Sequence, residues 1–264
     1  YEEKIDNIII DMREKSENIS KFLFKNNFRS ILFDDAWCKN VYSDILFNGT
    51  NVKDYHKYKK INKNSKLFLN TKYWIINKNF LYFRKKLLDI KEKQKYHIVI
   101  SMGGVDPNNL TLNVVNSIKD IKIINITIIV GPLFDNLFQL NKIIKSYKNI
   151  KLIKSSNEIW KDLSKADVAI TNGGNTLFES CALSIPTLSI PAFKHEVKYS
   201  EAFMKENFCV NLGLKQINPE KINSNLLNLL ENTSLRKKMF YSGKKIVDGK
   251  GLLRVQKIIL NSLI

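Results

Sequence analysis

The sequence predicts an α/β fold, a doubly wound parallel sheet with helices on both faces. Three observations carry that prediction. Short apolar runs rich in Ile and Val recur along the chain, as expected of strands buried on both faces. Segments with apolar residues at helical spacing separate them, so strands and helices alternate. The runs end in Gly, Asn, Asp or Ser, which open loops at the carboxyl edge of such a sheet.

Each element follows from its residues. Residues 5–11 are a short apolar run ending in Asp11, a buried strand. Residues 16–24 carry apolar side chains at helical spacing after Ser16, a helix. Residues 30–33 and 44–47 are two further strands, ending in Asp34-Asp35 and Asn48-Gly49. Residues 50–95 are polar and rich in Lys, Asn and aromatics. They read as a linker around residues 81–95, with a long basic helix as the alternative. Beyond them the alternation is regular. Strands are expected at 96–101, 123–130, 150–153, 167–170, 186–190 and 209–212. Helices are expected at 110–118, 137–147, 157–163, 176–183 and 197–207, then three in succession at 219–232, 234–247 and 252–263. The expected domains are residues 1–85, an incomplete Rossmann-like domain opening at a mid-domain strand, and residues 86–264, a second such domain carrying the C-terminal helices.

Composition sets bounds on function. The 264 residues suffice for one large or two ordinary domains, and 44% are hydrophobic. No run of 18 or more apolar residues predicts a membrane span. The first residues lack the basic and apolar regions of a signal peptide, and without an initiating Met they suggest a fragment. The net charge of +18 invites a nucleic-acid reading. The lysines are spread along the whole chain, however, with no basic block interleaved with aromatics, so no nucleic-acid partner is expected. The positive field would instead favour capture of an anionic small molecule. Cys38, Cys181 and Cys209 have no metal-type spacing and read as structural thiols of a cytoplasmic protein. No metal site and no cofactor is expected.

The chemistry gathers in the loops after the strands. Gly103-Gly104 follows one strand, with Asp106 and Asn109 opening the next helix. Asn172-Gly173-Gly174-Asn175-Thr176 follows another, and Phe193-Lys194-His195-Glu196 a third. Glycine pairs let backbone N–H groups approach a phosphate at a helix N-terminus, although each pair alone also fits a tight strand-to-helix turn. Glu179, one turn into its helix, can accept both hydroxyls of a ribose or can be a solvated helix carboxylate. Together the loops describe a nucleotide diphosphate site. Asp34-Asp35 fits capping and turn formation better than a metal or catalytic pair. His56, in a Lys- and Tyr-rich stretch, and His97, inside a strand, fit structural positions.

The segments Ser-Met-Gly-Gly-Val-Asp-Pro-Asn-Asn-Leu-Thr-Leu112, Ile-Ile-Val-Gly-Pro132 and Asn-Gly-Gly-Asn-Thr-Leu-Phe-Glu-Ser-Cys-Ala-Leu-Ser-Ile-Pro-Thr187 resemble the PseG family. Those are UDP-sugar hydrolases of pseudaminic acid biosynthesis, acting on UDP-2,4-diacetamido-2,4,6-trideoxy-β-L-altropyranose. The same segments resemble the SpsG-type glycosyltransferase family, and both families are GT-B-like, as is MurG. The resemblance extends through Ile-Leu-Phe-Asp-Asp35 upstream and Val-Asp-Gly-Lys-Gly251 downstream. It implies two Rossmann-like domains, with UDP held mainly by the C-terminal one. Glu179 would take the ribose with Phe178 beside it, and Gly103, Gly104, Gly174 and Thr176 would line the diphosphate. Asn109 and Leu112 would lie near the substrate, and the base near residues 155–159. An Asn-Gln pair of the family stands here as His195-Glu196, which would face the same site, and the family's tyrosine after the first strand is replaced by Met12-Arg13. The catalytic histidine of the family sits in a Gly-x-Gly-His motif near the N-terminus. No such motif occurs here, so that histidine is expected upstream of Tyr1. The resemblance thus implies a UDP-sugar hydrolase. The alternatives are a GT-B glycosyltransferase using a UDP-sugar donor and an inactive UDP-sugar-binding fragment.

Overall fold

The computed structural model describes residues 7–35, 38–87, 89–106 and 108–263. Ile5 and Asp6 of the first expected strand and Pro107 of the expected glycine turn lie outside them. The chain forms two compact units, Tyr1–Lys78 with Asp248–Ile264, and Asn79–Val247. The last helix therefore groups with the first unit, where the sequence placed residues 252–263 in the second domain.

The first unit opens with β1 (Asn7–Asp11), α1 (Ser16–Lys25), β2 (Arg29–Phe33), the short β3 (Asn40–Val41) and β4 (Ile45–Asn48). β5 (Lys59–Lys60) pairs with β3, and β6 (Lys66–Leu69) pairs with β4. Two 3-10 turns, Lys53–His56 and Thr71–Tyr73, complete this stretch. The main sheet runs β1-β2-β4-β6 and is wholly parallel. Asp34, just after β2, is buried and holds the chain that follows it. Its Oδ1 accepts from the Cys38 N–H (3.2 Å) and its Oδ2 from the Tyr58 hydroxyl (2.6 Å). Asn48 also reaches Tyr58, and His56 Nε2 stands 3.4 Å from Thr50 Oγ1.

The second unit begins with α2 (Asn79–Lys86), followed by β7 (Tyr96–Ser101), α3 (Leu110–Ile118), β8 (Ile124–Val130), α4 (Leu137–Lys145) and β9 (Ile150–Lys154). Then come α5 (Ile159–Leu163), β10 (Val168–Thr171), α6 (Asn175–Leu183), β11 (Thr187–Ser189), α7 (Lys194–Lys205), β12 (Cys209–Asn211), α8 (Pro219–Glu231) and α9 (Thr233–Ile246). α2 is one short helix anchored by Phe80 and Arg84, neither a linker nor the long basic helix. Arg84 donates to the carbonyls of Ala182, Lys244 and Val247, which fixes α2 on the end of α6. The sheet order is β12-β11-β10-β7-β8-β9, every pair parallel. Ile98, Val99 and Ile100 of β7 are fully buried, because helices cover both faces of the sheet. α3 presents Leu110, Val114, Val115 and Ile118, and α8 presents Ile222, Leu226, Leu229 and Leu230, to one core. Pro219 opens α8 at a position where its missing N–H costs nothing, and Asn218 accepts from the Lys221 N–H (3.0 Å).

α10 (Gly251–Leu263) closes the first unit by packing Val255, Ile258 and Ile259 on Ile31, Ile45 and Phe47. The fit depends on two glycines. A Cβ on Gly49 would lie 2.6 Å from the Trp74 backbone, and one on Gly251 would overlap the Trp74 carbonyl oxygen. Arg254 then joins Asp248 (2.5 Å) and the Lys72 carbonyl (3.0 Å). Cys38, Cys181 and Cys209 are free and buried, and burial pushes the Cys38 thiol up to about 12. No described helix is long and apolar enough to cross a membrane.

Candidate functional site

The strand order of the second unit fixes where a ligand can sit. The chain starts at β7, moves outward through β8 and β9, then returns to the other side of β7 as β10. Parallel sheets leave a crevice at such a reversal, outside the carboxyl ends of the two strands. At those ends stand the two glycine loops, Gly103-Gly104 after β7 and Gly173-Gly174 after β10. They touch. A Cβ on Gly103 would stand 3.1 Å from Asn172 Nδ2, and the φ of Gly103 is +84°. Gly131, after β8, closes on the first loop, since a Cβ there would overlap the Gly104 backbone. Gly104 itself is exposed with open space around it.

Behind the second glycine pair runs α6, whose first turn leaves unpaired N–H groups beside Gly174, its N-terminal flanking residue. Thr176 is buried in that turn. Glu179 follows one turn later, half-buried, with no hydrogen bond or ion pair to any described residue. Burial raises its carboxyl to about 7. A partly desolvated carboxylate without a partner is suited to accepting hydroxyl donors from a bound molecule.

The neighbouring loops are built with equal economy. Asp106 accepts from the Leu110 N–H (2.9 Å) and the Thr111 N–H (2.8 Å), which anchors the first glycine loop to α3. Asn109 is exposed in the left-handed region (φ 54°) at the α3 N-terminus, and its Oδ1 accepts from Asn136 Nδ2. That bond links the loops after β7 and β8. On α7, His195 is half-buried and lies nearly parallel to the Phe193 ring, with centroids 5.8 Å apart. Phe193 is 46% exposed. The Ser155–Glu158 turn after β9 is open to solvent, apart from half-buried Ser156.

Three expected ligand residues have other work in the structure. Phe178 is fully buried, edge-on to Phe203 (4.8 Å) and Tyr199 (5.6 Å), because its position on α6 faces α7. Leu112 is half-buried against the main core, one residue around α3 from its exposed face. Glu196 is 3% exposed, and both its oxygens are taken. Oε2 accepts from the Ala192 N–H (2.7 Å) and the Phe193 N–H (3.3 Å), and Oε1 from Asn172 Nδ2 (2.9 Å). Glu196 thereby caps α7 and ties its loop to the second glycine pair. Gly103, Gly104, Gly174 and Thr176 gather at the crevice, with Glu179 one turn further along α6, while His195 sits on the adjoining loop and Asn109 on the far side of the first glycine turn. Asn172 is the residue that sequence reasoning quoted but did not single out. Its part depends on a hydrogen-bond census that no local sequence pattern encodes. Among the described residues, no group of three or more His, Cys, Asp or Glu is placed to hold a metal ion.

Comparison with known proteins agrees with this architecture. The spore coat polysaccharide biosynthesis protein SpsG of Bacillus subtilis (strain 168) is 24% identical over 262 residues, covering 97% of this chain and 76% of that protein. The UDP-2,4-diacetamido-2,4,6-trideoxy-beta-L-altropyranose hydrolase of Campylobacter jejuni is 25% identical over 209 residues, covering 78% of this chain and 74% of that one. Among solved structures, MurG of Acinetobacter baumannii superposes with a TM-score of 0.68 at 12% identity, over 97% of this chain and 74% of its own. The fold is thus GT-B glycosyltransferase-like, with parallel-sheet Rossmann-like α/β units. The model of the glycosyltransferase family 28 C-terminal domain matches residues 80–249, well over half of the chain. The chain belongs to the glycosyltransferase family 28 C-terminal domain family.

Proposed function

We propose that the second unit binds a UDP-sugar at the β7/β10 crevice, and that the protein acts as a UDP-sugar hydrolase. In this reading the glycine loops and the α6 N-terminus hold the diphosphate, and Glu179 accepts the two ribose hydroxyls. Gly103, Gly104, Gly174 and Thr176 line the diphosphate, while Asn109 and His195 stand at the rim. Water attacks the anomeric carbon of a diacetamido-trideoxyhexose and UDP leaves. The observation that carries the reading is Glu179, a half-buried carboxylate without a partner, one turn beyond a glycine pair at the switch in strand order. The hydrolase part is supported by the Campylobacter relative, whose name specifies a UDP-linked substrate.

Titration calorimetry of the chain with UDP tests the binding step. Replacing a carboxylate that accepts two hydroxyls should cost roughly tenfold to a hundredfold, so Glu179→Ala should weaken UDP binding by that range. Unchanged affinity would sink the assignment. The family 28 match favours a second reading, transfer of the sugar to an acceptor. Product analysis with and without candidate glycan acceptors separates the two, because hydrolysis releases free sugar when no acceptor is present.

A further inference from the structure

Asn172 stands at the junction of the two glycine loops and is only 8% exposed. Its Nδ2 donates to Glu196 Oε1 (2.9 Å). Glu196 is held in turn by two backbone N–H groups, so the face of the amide toward it must be the NH2 face. Both polar atoms of the amide lie against the glycine turns: Nδ2 and Oδ1 are 3.1 Å and 4.0 Å from where a Cβ of Gly103 would stand, and 3.4 Å and 3.7 Å from that of Gly174. The Oδ1 oxygen is buried and has no hydrogen-bond partner among the described residues. Among the described residues of the second unit, no other buried side-chain nitrogen or oxygen is left so. Buried acceptors are almost always satisfied, and an orphaned one beside a ligand crevice points to a donor on the ligand.

The chemistry narrows what that donor is. A diphosphate diester carries only acceptors, so its oxygens suit the N–H groups of α6 but repel a carboxamide oxygen. The donors of uridine lie at the far end of a nucleotide sugar, with the ribose hydroxyls assigned to Glu179. The donor nearest the diphosphate is on the sugar, at the carbon next to the anomeric centre. Resting on the UDP-sugar reading above, we propose that Asn172 is a specificity-determining residue whose Oδ1 accepts from the 2-substituent of the sugar, a hydroxyl or an amide N–H. Three features are joined in one device. Gly103 and Gly174 leave the approach clear of side chains, Glu196 fixes the amide orientation, and the free oxygen reads the sugar.

The test compares binding of UDP, UDP-glucose and UDP-2-deoxyglucose by calorimetry. A site built to receive a hydroxyl rejects the analogue that lacks it, so the unmodified chain should bind UDP-glucose at least about tenfold more tightly than the 2-deoxy compound. In Asn172→Ala that ratio should fall to within about twofold, with UDP-glucose weakened more than UDP itself. The first comparison needs no variant, and retained UDP binding shows that the variant keeps its loops. The inference is overturned if the unmodified chain does not discriminate, or if it binds UDP but neither hexose derivative. It is overturned equally if Asn172→Ala keeps the ratio, or weakens all three ligands alike, which would make Asn172 a loop support only. A chain that fails to bind UDP sinks the nucleotide reading itself, and this inference with it.

Discussion

Glu179 combines a structural penalty with a binding opportunity. Its carboxyl is raised to about 7 because α6 holds it away from water with no compensating donor. A folded-state value above the unfolded one favours the protonated form of the folded chain. The associated stability is full below about 4.5, the ordinary value of such a carboxyl, and is lost as pH rises through about 7. A ligand that donates two hydroxyls reverses the preference, since only the ionised carboxylate accepts both. A group half-ionised at about pH 7 is roughly 10% ionised at about pH 6 and roughly 90% at about pH 8. UDP-glucose, whose diphosphate does not titrate in this range, should therefore bind about ninefold more tightly at the higher pH. Glu179→Gln should flatten that profile, and a profile equally steep in the variant would place the titration elsewhere. The glycines make a second contrast. Gly131→Ala forces a methyl into the Gly104 backbone and should lower stability by about 1–3 kcal/mol in urea unfolding, whereas Gly104→Ala meets nothing within 4 Å and should leave stability within about 0.5 kcal/mol. That both glycine loops follow strands and that Glu179 lies one turn into its helix was legible in the sequence, because each rests on a local pattern. The burial of Phe178 was not, because it depends on α6 meeting α7 at close range, nor was the engagement of Glu196, because it depends on the loop after β10 reaching α7.

At the scale of elements, one buried cation governs the junction of α8 and α9. Arg236 is 1% exposed and has no carboxylate partner among the described residues. It donates to the last carbonyls of α8, at Leu229 (2.5 Å) and Leu230, and to Thr233 Oγ1 (3.0 Å), while its guanidinium lies over the Tyr96 ring at 4.9 Å. A helix C-terminus concentrates partial negative charge, so these carbonyls do the work of a counter-ion. Arg236→Leu keeps the volume but orphans the carbonyls, and should cost about 3 kcal/mol in chemical denaturation. A loss under about 1 kcal/mol would show that water replaces the guanidinium there. Most strands and helices from residue 96 onward were readable because they are long enough to display their own period, whereas β11, β12 and α5 were legible only from apolar residues spaced between neighbouring elements. β3, β5 and β6 were missed for a physical reason. β3 and β5 are two residues each, too short for alternation to show, and Lys66–Leu69 has only a half-covered face. α2 was masked by its lysines, which lie outside while Phe80 meets Trp160 of α5 and Arg84 holds the helix to α6.

Over the whole molecule, each unit carries its own core. The core of the second is drawn from residues 96–239, whereas that of the first unites β2 and β4 with Val255 of α10. Deleting residues 248–264 should thus strip hydrogen-exchange protection from the β2 and β4 amides and leave β7 and β8 protected. Protection retained throughout would mean that α10 contributes little to the first core. The alternating pattern predicted the α/β class well, because parallel strands advertise themselves by composition. It did not predict the return of the last helix, because an amphipathic pattern over residues 252–263 does not name the sheet it covers, whereas in the structure Gly251 meets Trp74 and Val255 packs on Ile31, Ile45 and Phe47. That meeting has a consequence in time. During synthesis the second unit is complete once Val247 has left the ribosome, while the first must wait for the final helix. The strands of the first unit therefore emerge before the second unit but are covered after it, and until α10 has emerged their sheet keeps Ile31, Ile45 and Phe47 bare toward whatever chaperone or neighbouring chain it meets.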